Sequence, residues 1–212
     1  LPLTGSAQAA GEAALRGLEI AVAELEATGE NRLELLVRDS GGDPAEAARL
    51  LDQLFKEEKA VAAIGGLTPL EARALAEGAE EHKRILILPT AGDQRLSEGS
   101  KHVYRISVSD AISGSKLASF ARSDLKTDTA VVLAEDPRFA ETLVEGFQPT
   151  FENLSGKLIG NVEPENGDLA AAAQEIRSQK PDAVVLSGGG AWLEQAVHSL
   201  RDARHSGQIL AP

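Results

Sequence analysis

The sequence predicts an α/β protein in which buried parallel strands alternate with amphipathic helices. Three observations support this fold class. Apolar residues recur every three or four positions in several long segments, which is typical of helices that pack on one face. Shorter segments such as 130–134 are apolar throughout, which favours strands buried on both faces of a parallel sheet. The two kinds of segment alternate along the chain, so we expect doubly wound parallel sheets.

The first half of the chain opens with a helix predicted at 11–28, where the apolar residues fall on one stripe. A strand is predicted at 32–37, followed by a turn rich in Asp, Ser and Gly. Asp43 and Pro44 are residue types preferred at the N-cap and the first position of a helix, which we expect to reach 58. The other elements predicted in this half are strands at 60–64, 84–88 and 103–106 and a helix at 69–82.

The second half repeats the alternation after a polar loop at 91–101. A new series of strands and helices begins there, so we expect a lobe boundary near 107–110 and two lobes, 1–107 and 108–212. The elements predicted in the second lobe are helices at 112–125, 139–153, 169–179 and 191–205 and strands at 129–134, 157–162, 182–186 and 208–210.

Composition and charge exclude several classes of function. The 212 residues carry a formal net charge of −12, which repels phosphate backbones and anionic lipid headgroups. We therefore expect no binding to nucleic acids or to membrane surfaces. The chain has no cysteine, which excludes disulfides, thiolate metal sites and cysteine nucleophiles. No apolar run approaches the ~20 residues that a membrane-spanning helix needs.

Motifs for catalysis and for metal binding are absent from the sequence. The four histidines show neither H-x-x-x-H nor H-E-x-x-H spacing, and there is no G-x-S-x-G elbow. We therefore expect no enzyme activity, no cofactor and no metal. Asp39 and Asp43 could be metal ligands or paired carboxylates, but a turn followed by a helix cap explains both more simply.

A glycine run at 188–190 follows a predicted strand and opens a helix. Its backbone could hold an anion. The dinucleotide pattern G-x-G-x-x-G fails, however, because Leu193 occupies the position of the third glycine. A tight turn that lets a ligand approach the backbone is the interpretation that we favour.

Loops at the carboxyl ends of parallel strands are where such sheets bind ligands. Several of these loops and their neighbours contain short motifs in a specific order. They are Leu3-Thr4-Gly5, Gly17-x-Glu19-x-Ala21, Arg38-Asp39 with Asp43-Pro44, Ala63-Ile64-Gly65-Gly66, Leu88-Pro89-Thr90-Ala91, Tyr104-Arg105, Glu135-Asp136-x-x-Phe139, Gly167-Asp168 and Lys180-Pro181-Asp182. Together they resemble the type I periplasmic solute-binding proteins, the leucine/isoleucine/valine-binding-protein family that serves ABC importers.

The resemblance covers nearly the whole chain and implies a fold of two lobes with parallel doubly wound sheets. In that family a first strand would precede Leu3, and further strands would follow Pro212. We therefore expect the chain to be incomplete, with most of lobe one and about half of lobe two.

The resemblance also implies a function and a ligand site. The protein would be a periplasmic or envelope-anchored receptor that delivers a small, polar, amino-acid-like ligand to the membrane subunits of an ABC importer. The ligand would be held between the lobes. The implied ligand-binding residues are Thr68, Thr90, Ala91, Gly92, Asp110, Ser113, Phe139 and Gly189.

The match to the family's ligand residues is partial. Gly92 stands where the family has a threonine hydroxyl, and Phe139 stands at the position of a clamping tyrosine. Pro69 falls on a serine position unless the register shifts by one to Thr68. These departures indicate a one-residue misalignment, a different ligand or no ligand.

An alternative function comes from the same fold. The stretch 38–44 is also similar to lipoproteins that activate penicillin-binding proteins, which act by touching a partner protein. The partner would then be a cell-wall synthase, and the altered clamp favours this alternative somewhat. A helical-repeat domain upstream of Leu1 would distinguish the two functions. An enzyme on a flavodoxin-like sheet is a third, much less favoured hypothesis.

Overall fold

The computed structural model describes residues 1–29 and 33–212, except for the side chains of residues 138 and 139. The chain divides into two compact units, Leu1–Ser107 and Val108–Pro212. Each unit contains one sheet, and every strand pair in both sheets is parallel. The predicted α/β class with parallel sheets is therefore confirmed.

The first unit contains a three-stranded sheet in the order β1-β2-β3. Ala63 lies opposite Leu86, and Ile87 lies opposite Tyr104. The strands are β1 (Ala62–Ile64), β2 (Ile85–Leu88) and β3 (Val103–Arg105), and the helices are α1 (Gln8–Thr28), α2 (Pro44–Lys56) and α3 (Pro69–His82).

The core of the first unit lies on one face of its sheet. Leu86 and Leu88 of β2 are fully buried and pack with apolar residues of α2 and α3. Ile85, on the opposite face of the same strand, is 44% exposed, and Ile64 of β1 is 37% exposed. Burial on both faces, which the uniformly apolar sequence predicts, is therefore wrong for β1 and β2. Among the described residues, only one face has helices packed against it in a buried cluster.

The strand predicted at 32–37 is not formed over its described part, 33–37. Residues 30–32 lie outside the described part of the chain, and 33–37 have no strand assignment. A strand requires a neighbouring backbone that supplies ladder hydrogen bonds. Among the described residues, such bonds begin only afterwards, where the Leu1 nitrogen donates to the Arg38 carbonyl (3.2 Å) and Ser40 N–H donates to the Leu1 carbonyl (3.0 Å).

The turn after this segment is organised by two aspartates. The Asp39 carboxylate accepts hydrogen bonds from the backbone N–H groups of Leu3 (2.8 Å) and Gly41 (2.9 Å). These and related bonds, led by the Gly41 N–H, hold the pKa of Asp39 below its ordinary value. Asp43 caps α2 by accepting from the N–H groups of Ala45 and Glu46. The interpretation of these carboxylates as a turn and a helix cap is confirmed.

The second unit contains a four-stranded sheet in the order β5-β4-β6-β7. Val132 of its central strand lies opposite Val185 on one side and Asn161 on the other. The strands are β4 (Thr129–Ala134), β5 (Lys157–Val162), β6 (Ala183–Ser187) and β7 (Gln208–Leu210), and the helices are α4 (Asp110–Ser123), α5 (Pro137–Asn153), α6 (Leu169–Gln179) and α7 (Gly190–Asp202).

Both faces of the second sheet are buried. Val132 and its same-face neighbours pack with α4 and α5, including the fully buried Phe147. Val131 and Leu133, which alternate with them along β4, pack with Ile176 of α6 and with residues of α7. For β4 and β6, burial on both faces is as the sequence predicts, because successive side chains enter different cores.

Helices α4 and α5 approach one another at two glycines. A Cβ atom at Gly146 would lie 1.9 Å from the Ala111 carbonyl oxygen, and one at Gly114 would lie 2.1 Å from the Leu143 carbonyl oxygen. Both obstacles are backbone atoms, which cannot turn aside as a side chain can. The close contact of the two helices therefore depends on glycine at both positions.

Length and hydropathy decide whether any of the described helices could cross a bilayer. None combines the length and the apolar character that crossing a membrane requires.

Candidate functional site

Two loops meet at the carboxyl ends of β1 and β2 in the first unit. Gly65 and Gly66 follow β1, and Pro89 to Gly92 follow β2. The Thr90 hydroxyl donates to the Leu67 carbonyl (3.2 Å), which joins the loops. The structure therefore brings Thr90, Ala91 and Gly92 to the same edge of the sheet as the loop that contains Thr68.

Thr68 is the N-cap of α3. Its hydroxyl accepts from the Glu71 N–H (3.3 Å) and donates to a carboxylate oxygen of Glu71 (3.0 Å), which completes a capping box. Glu71 is buried, and its other oxygen accepts from the Ser40 hydroxyl at 2.5 Å. Thr68 is one of the predicted ligand-binding residues, but its hydroxyl already has two partners.

The carbonyl groups of Ala91 and Gly92 are held by the end of the neighbouring strand. The Arg105 guanidinium donates to the Ala91 carbonyl (2.9 Å) and to the Gly92 carbonyl (3.3 Å), and the Ser107 hydroxyl also donates to the Ala91 carbonyl. Within the described residues, the backbone N–H groups of Thr90, Ala91 and Gly92 have no hydrogen-bond acceptor. This loop thus offers consecutive backbone donors beside a fixed positive charge.

The negative charge next to this loop is paired. Asp93 accepts hydrogen bonds from the Arg95 backbone N–H (3.0 Å) and from the Arg95 guanidinium (2.9 Å). Partial burial would raise the pKa of Asp93, but the hydrogen bonds and charge of Arg95 outweigh it and lower the pKa. Asp93 is therefore ionised, and Arg95 offsets its repulsion of an anion at the loop.

At the carboxyl ends of β4 and β6, the second unit has a different arrangement. Glu135 N–H donates to the Ser187 carbonyl (2.8 Å), and the Glu135 carboxylate accepts from the Gly189 N–H (3.0 Å). The donor that an anion would need at Gly189 is thus already paired with a carboxylate. This edge therefore presents an exposed carboxylate at Glu135.

An indole ring takes up the space above the glycine run. A Cβ atom at Gly188 would lie 2.4 Å from the Trp192 ring, so only glycine lets this ring pack against the turn. Trp192 is partly buried against the core below it.

The remaining predicted site residues belong to the second unit. Asp110 and Ser113 lie in the first turn of α4. Phe139 belongs to α5, and its side chain lies outside the described part of the structure. Gly189 is the N-cap of α7. Among the side chains that the structure describes, no group of three or more His, Asp or Glu residues could hold a metal ion.

Sequence reasoning missed Arg105, Ser107, Glu135 and Trp192. Arg105 and Glu135 belong to motifs that carried the family resemblance, but neither was given a role. A charged residue at the end of an otherwise apolar strand was the available signal for Arg105. Nothing in the local pattern shows that its guanidinium reaches back to two carbonyls of the preceding loop.

A comparison with models of protein families identifies the family of this chain. A family model described as "Periplasmic binding protein" matches residues 1–211. The chain belongs to the periplasmic binding protein family. Members are extracytoplasmic solute-binding proteins rather than enzymes, so the predicted family and the prediction of a non-enzymatic protein are both confirmed.

Individual relatives bind different solutes. A Leu/Ile/Val-binding protein homologue from Brucella melitensis is 21% identical over 93% of this chain. The crystal structure of a leucine-binding protein from Thermotoga maritima matches 99% of the chain with a TM-score of 0.89 and 27% identity. A solute-binding protein of an ABC transporter from R. palustris, in complex with benzoate, matches all of it with a TM-score of 0.86 and 25% identity.

The matches cover only part of each relative. This chain spans 56% of the Brucella protein, 61% of the Thermotoga protein and 60% of the R. palustris protein.

Proposed function

We propose that this periplasmic binding protein is the receptor of an ABC importer and that it binds a small amino-acid-like carboxylate. The observation that carries the proposal is the loop at Thr90, Ala91 and Gly92. Its N–H groups have no acceptor among the described residues, and Arg105 fixes its carbonyls. Backbone donors held in place before binding are suited to a carboxylate, because no reorganisation is needed when the anion arrives.

We assign ligand contacts in each unit separately. In the first unit, we assign the carboxylate to the backbone of residues 90–92, with Thr68 holding the neighbouring loop. In the second unit, we assign ligand contacts to Asp110, Ser113, Phe139 and Gly189. The Glu135 carboxylate beside Gly189 suits a cationic group such as the ammonium of an amino acid.

Relatives support the class of ligand in two different ways. The Thermotoga relative is a leucine-binding protein. Leucine carries both an ammonium and a carboxylate. The R. palustris relative is in complex with benzoate, which has only the carboxylate. Both ligands share the group assigned to the first unit and differ in the group assigned to Glu135.

The test is a calorimetric titration of the purified protein with leucine, isoleucine, valine, benzoate and leucinamide. We expect saturable binding of at least one carboxylate and none of leucinamide, which lacks the carboxylate. Arg105→Gln should weaken binding by about tenfold, equivalent to about 1.4 kcal/mol, because the carbonyls lose charge-assisted hydrogen bonds. Arg84→Gln removes the same charge just before β2, at the opposite edge of the sheet, and should leave the affinity unchanged.

A second variant separates the two ligand classes. Glu135→Gln keeps an oxygen for the Gly189 N–H but removes the charge. It should therefore weaken the binding of an amino acid and leave the affinity for benzoate unchanged. If no small molecule binds or raises the melting temperature, while a cell-wall synthase co-purifies, the receptor function is wrong. A partner-binding envelope protein of the same fold would then take its place.

A further inference from the structure

A basic cavity lies at the edge of the second sheet opposite to Glu135 and Gly189. The strands β4, β6 and β7 are neighbours and parallel, so the turns that precede them lie side by side. These turns and the end of α6 line a cavity of about 550 Å³. Four of the 21 lysines and arginines of this acidic chain are in its lining, namely Lys126, Arg177, Lys180 and Arg204.

The cations in this lining are not neutralised by carboxylates. None of the four forms an ion pair within the described residues, whereas Arg122 nearby pairs with Asp128 at 3.1 Å. Asp182 is the one carboxylate in the lining. One of its oxygens accepts from the Thr129 N–H (2.9 Å), the Thr129 hydroxyl (2.9 Å) and the Asp128 N–H (3.0 Å). Asp182 therefore ties two turns together and leaves an excess of positive charge.

The turns that carry these cations are fixed by hydrogen bonds. Gln208 N–H donates to the Asp182 carbonyl (2.8 Å), and the Arg201 guanidinium donates to the His205 carbonyl (3.1 Å). A Cβ atom at Gly207 would lie 2.6 Å from the Asp182 carbonyl oxygen, so these two turns are in close contact. A ligand would therefore meet a preformed backbone and would order only the exposed ends of the lysines and arginines.

Helix-end electrostatics alone would place cations at some of these positions. Lys126, Lys180 and Arg204 have left-handed backbone conformations with φ of 57°, 52° and 60°, and cations near helix C-termini are favourable. Lys59 and Lys83 in the first unit have the same conformation, with φ of 61° and 53°, and do not belong to this cavity. What distinguishes the second unit is that its cations converge on one concave surface.

We propose that this cavity binds a small multivalent oxyanion of the phosphate or polycarboxylate class. Its volume lies within the range of about 300–1,000 Å³ that is usual for small-molecule sites. A long polyanion would also meet the net charge of −12 of the whole chain, whereas a small one senses mainly the charges within a Debye length, about 10 Å at 0.1 M salt. Nucleic acid is therefore not the ligand that we assign to it.

The experiment is a titration of the protein with inorganic phosphate and with pyrophosphate, at constant ionic strength maintained with sodium chloride. Binding is read by calorimetry and by the melting temperature. The test variant is the double substitution Lys126→Asn and Lys180→Asn. The matched control is Lys59→Asn with Lys83→Asn, which removes two lysines with the same backbone conformation and leaves the same net charge. Asparagine is chosen because it tolerates the left-handed region.

We expect saturable binding, tighter for pyrophosphate than for phosphate, that the test variant weakens by about tenfold or more. The control variant should retain the affinity of the natural protein within about twofold. Arg105→Gln should also retain it, so a failure here is distinguishable from a failure of the receptor proposal. Equal weakening in the test and control variants, or no saturable binding of either anion, would overturn the proposal.

Discussion

The carboxyl-end edges of the two sheets differ in the backbone groups that a charged side chain holds. In the first unit, Arg105 holds the carbonyls of Ala91 and Gly92, and the N–H groups of these residues have no acceptor among the described residues. In the second unit, the Glu135 carboxylate holds the Gly189 N–H. A charged side chain at the same position in two parallel sheets can thus engage either the carbonyls or an N–H group of the backbone.

The two units also differ in how their sheets are covered. The second sheet has a buried cluster on each face, whereas the first has one buried cluster and exposed apolar residues on its strands. Because burial of apolar area is the main stabilising contribution, most of the free energy of unfolding should depend on the second unit.

The largest predicted effect is at the double core of the second unit. Phe147→Ala should lower the free energy of unfolding by about 3–5 kcal/mol, because the ring is fully buried and packs on Phe151 with centroids 5.0 Å apart. Phe120→Ala, at a phenylalanine that is 47% exposed, is the control and should cost much less. If denaturant unfolding showed equal losses in the free energy of unfolding for the two variants, the assignment of Phe147 to the core would be contradicted.

A valine pair tests the difference between the sheets directly. Val132→Ala in β4 should cost about 2 kcal/mol, since two buried methyl groups are lost and a cavity remains. Val61→Ala, just before β1, should change stability by less than about 0.5 kcal/mol because Val61 is 77% exposed. Amide hydrogen exchange should likewise be slower in β4 and β6 than in β1. Similar protection in both sheets would refute the contrast.

Helix capping offers a smaller comparison. Asp43 accepts from two backbone N–H groups at the start of α2, whereas Asp168 accepts from one at the start of α6. Asp43→Ala should therefore cost about 1 kcal/mol or somewhat more, and Asp168→Ala should cost less. Asp43→Asn retains a capping oxygen and serves as the control in thermal unfolding. A larger loss of stability in Asp168→Ala than in Asp43→Ala would show that the number of N–H partners does not determine the size of the capping effect.

The smallest effect concerns pH. Burial, with a further contribution from the charge of Arg201, lowers the pKa of His205 in the folded protein. The folded state therefore favours the neutral ring. The stabilisation that results is fully present above the unfolded pKa of about 6.5 and is lost as pH falls below it. The melting temperature should fall between pH 7 and pH 5, and His205→Gln should reduce that dependence. His198→Gln, at an exposed histidine, should leave the dependence as it is, and the opposite ranking would reject this assignment.

Sequence periodicity was sufficient for most of the fold but not for the coverage of its strands. Segments such as 60–64 and 130–134 are both apolar throughout, yet only the second is buried on both faces. Burial depends on which helices pack against each face, and this is a property of the tertiary structure. Over the described residues 33–37, the strand prediction failed for a related reason, since ladder hydrogen bonds require a neighbouring backbone in addition to a suitable sequence.

The site was less predictable than the fold. Loop positions such as Thr90 to Gly92 follow from the rule that parallel sheets bind ligands at the carboxyl ends of strands. The state of each polar group does not follow from it. The Thr68 hydroxyl is used in a helix cap, and Arg105 reaches across from the next strand to a preceding loop. Such partners are set by side-chain direction after folding, which single-sequence patterns do not encode.

The central claim is that the free N–H groups of Ala91 and Gly92 hold the ligand carboxylate. The most direct test is to follow the amide resonances of the ¹⁵N-labelled protein while titrating the tightest-binding carboxylate found by calorimetry. The account predicts that the Ala91 and Gly92 amide protons move downfield with the calorimetric Kd and do not respond to leucinamide. Calorimetric binding that leaves both amides unshifted would contradict it.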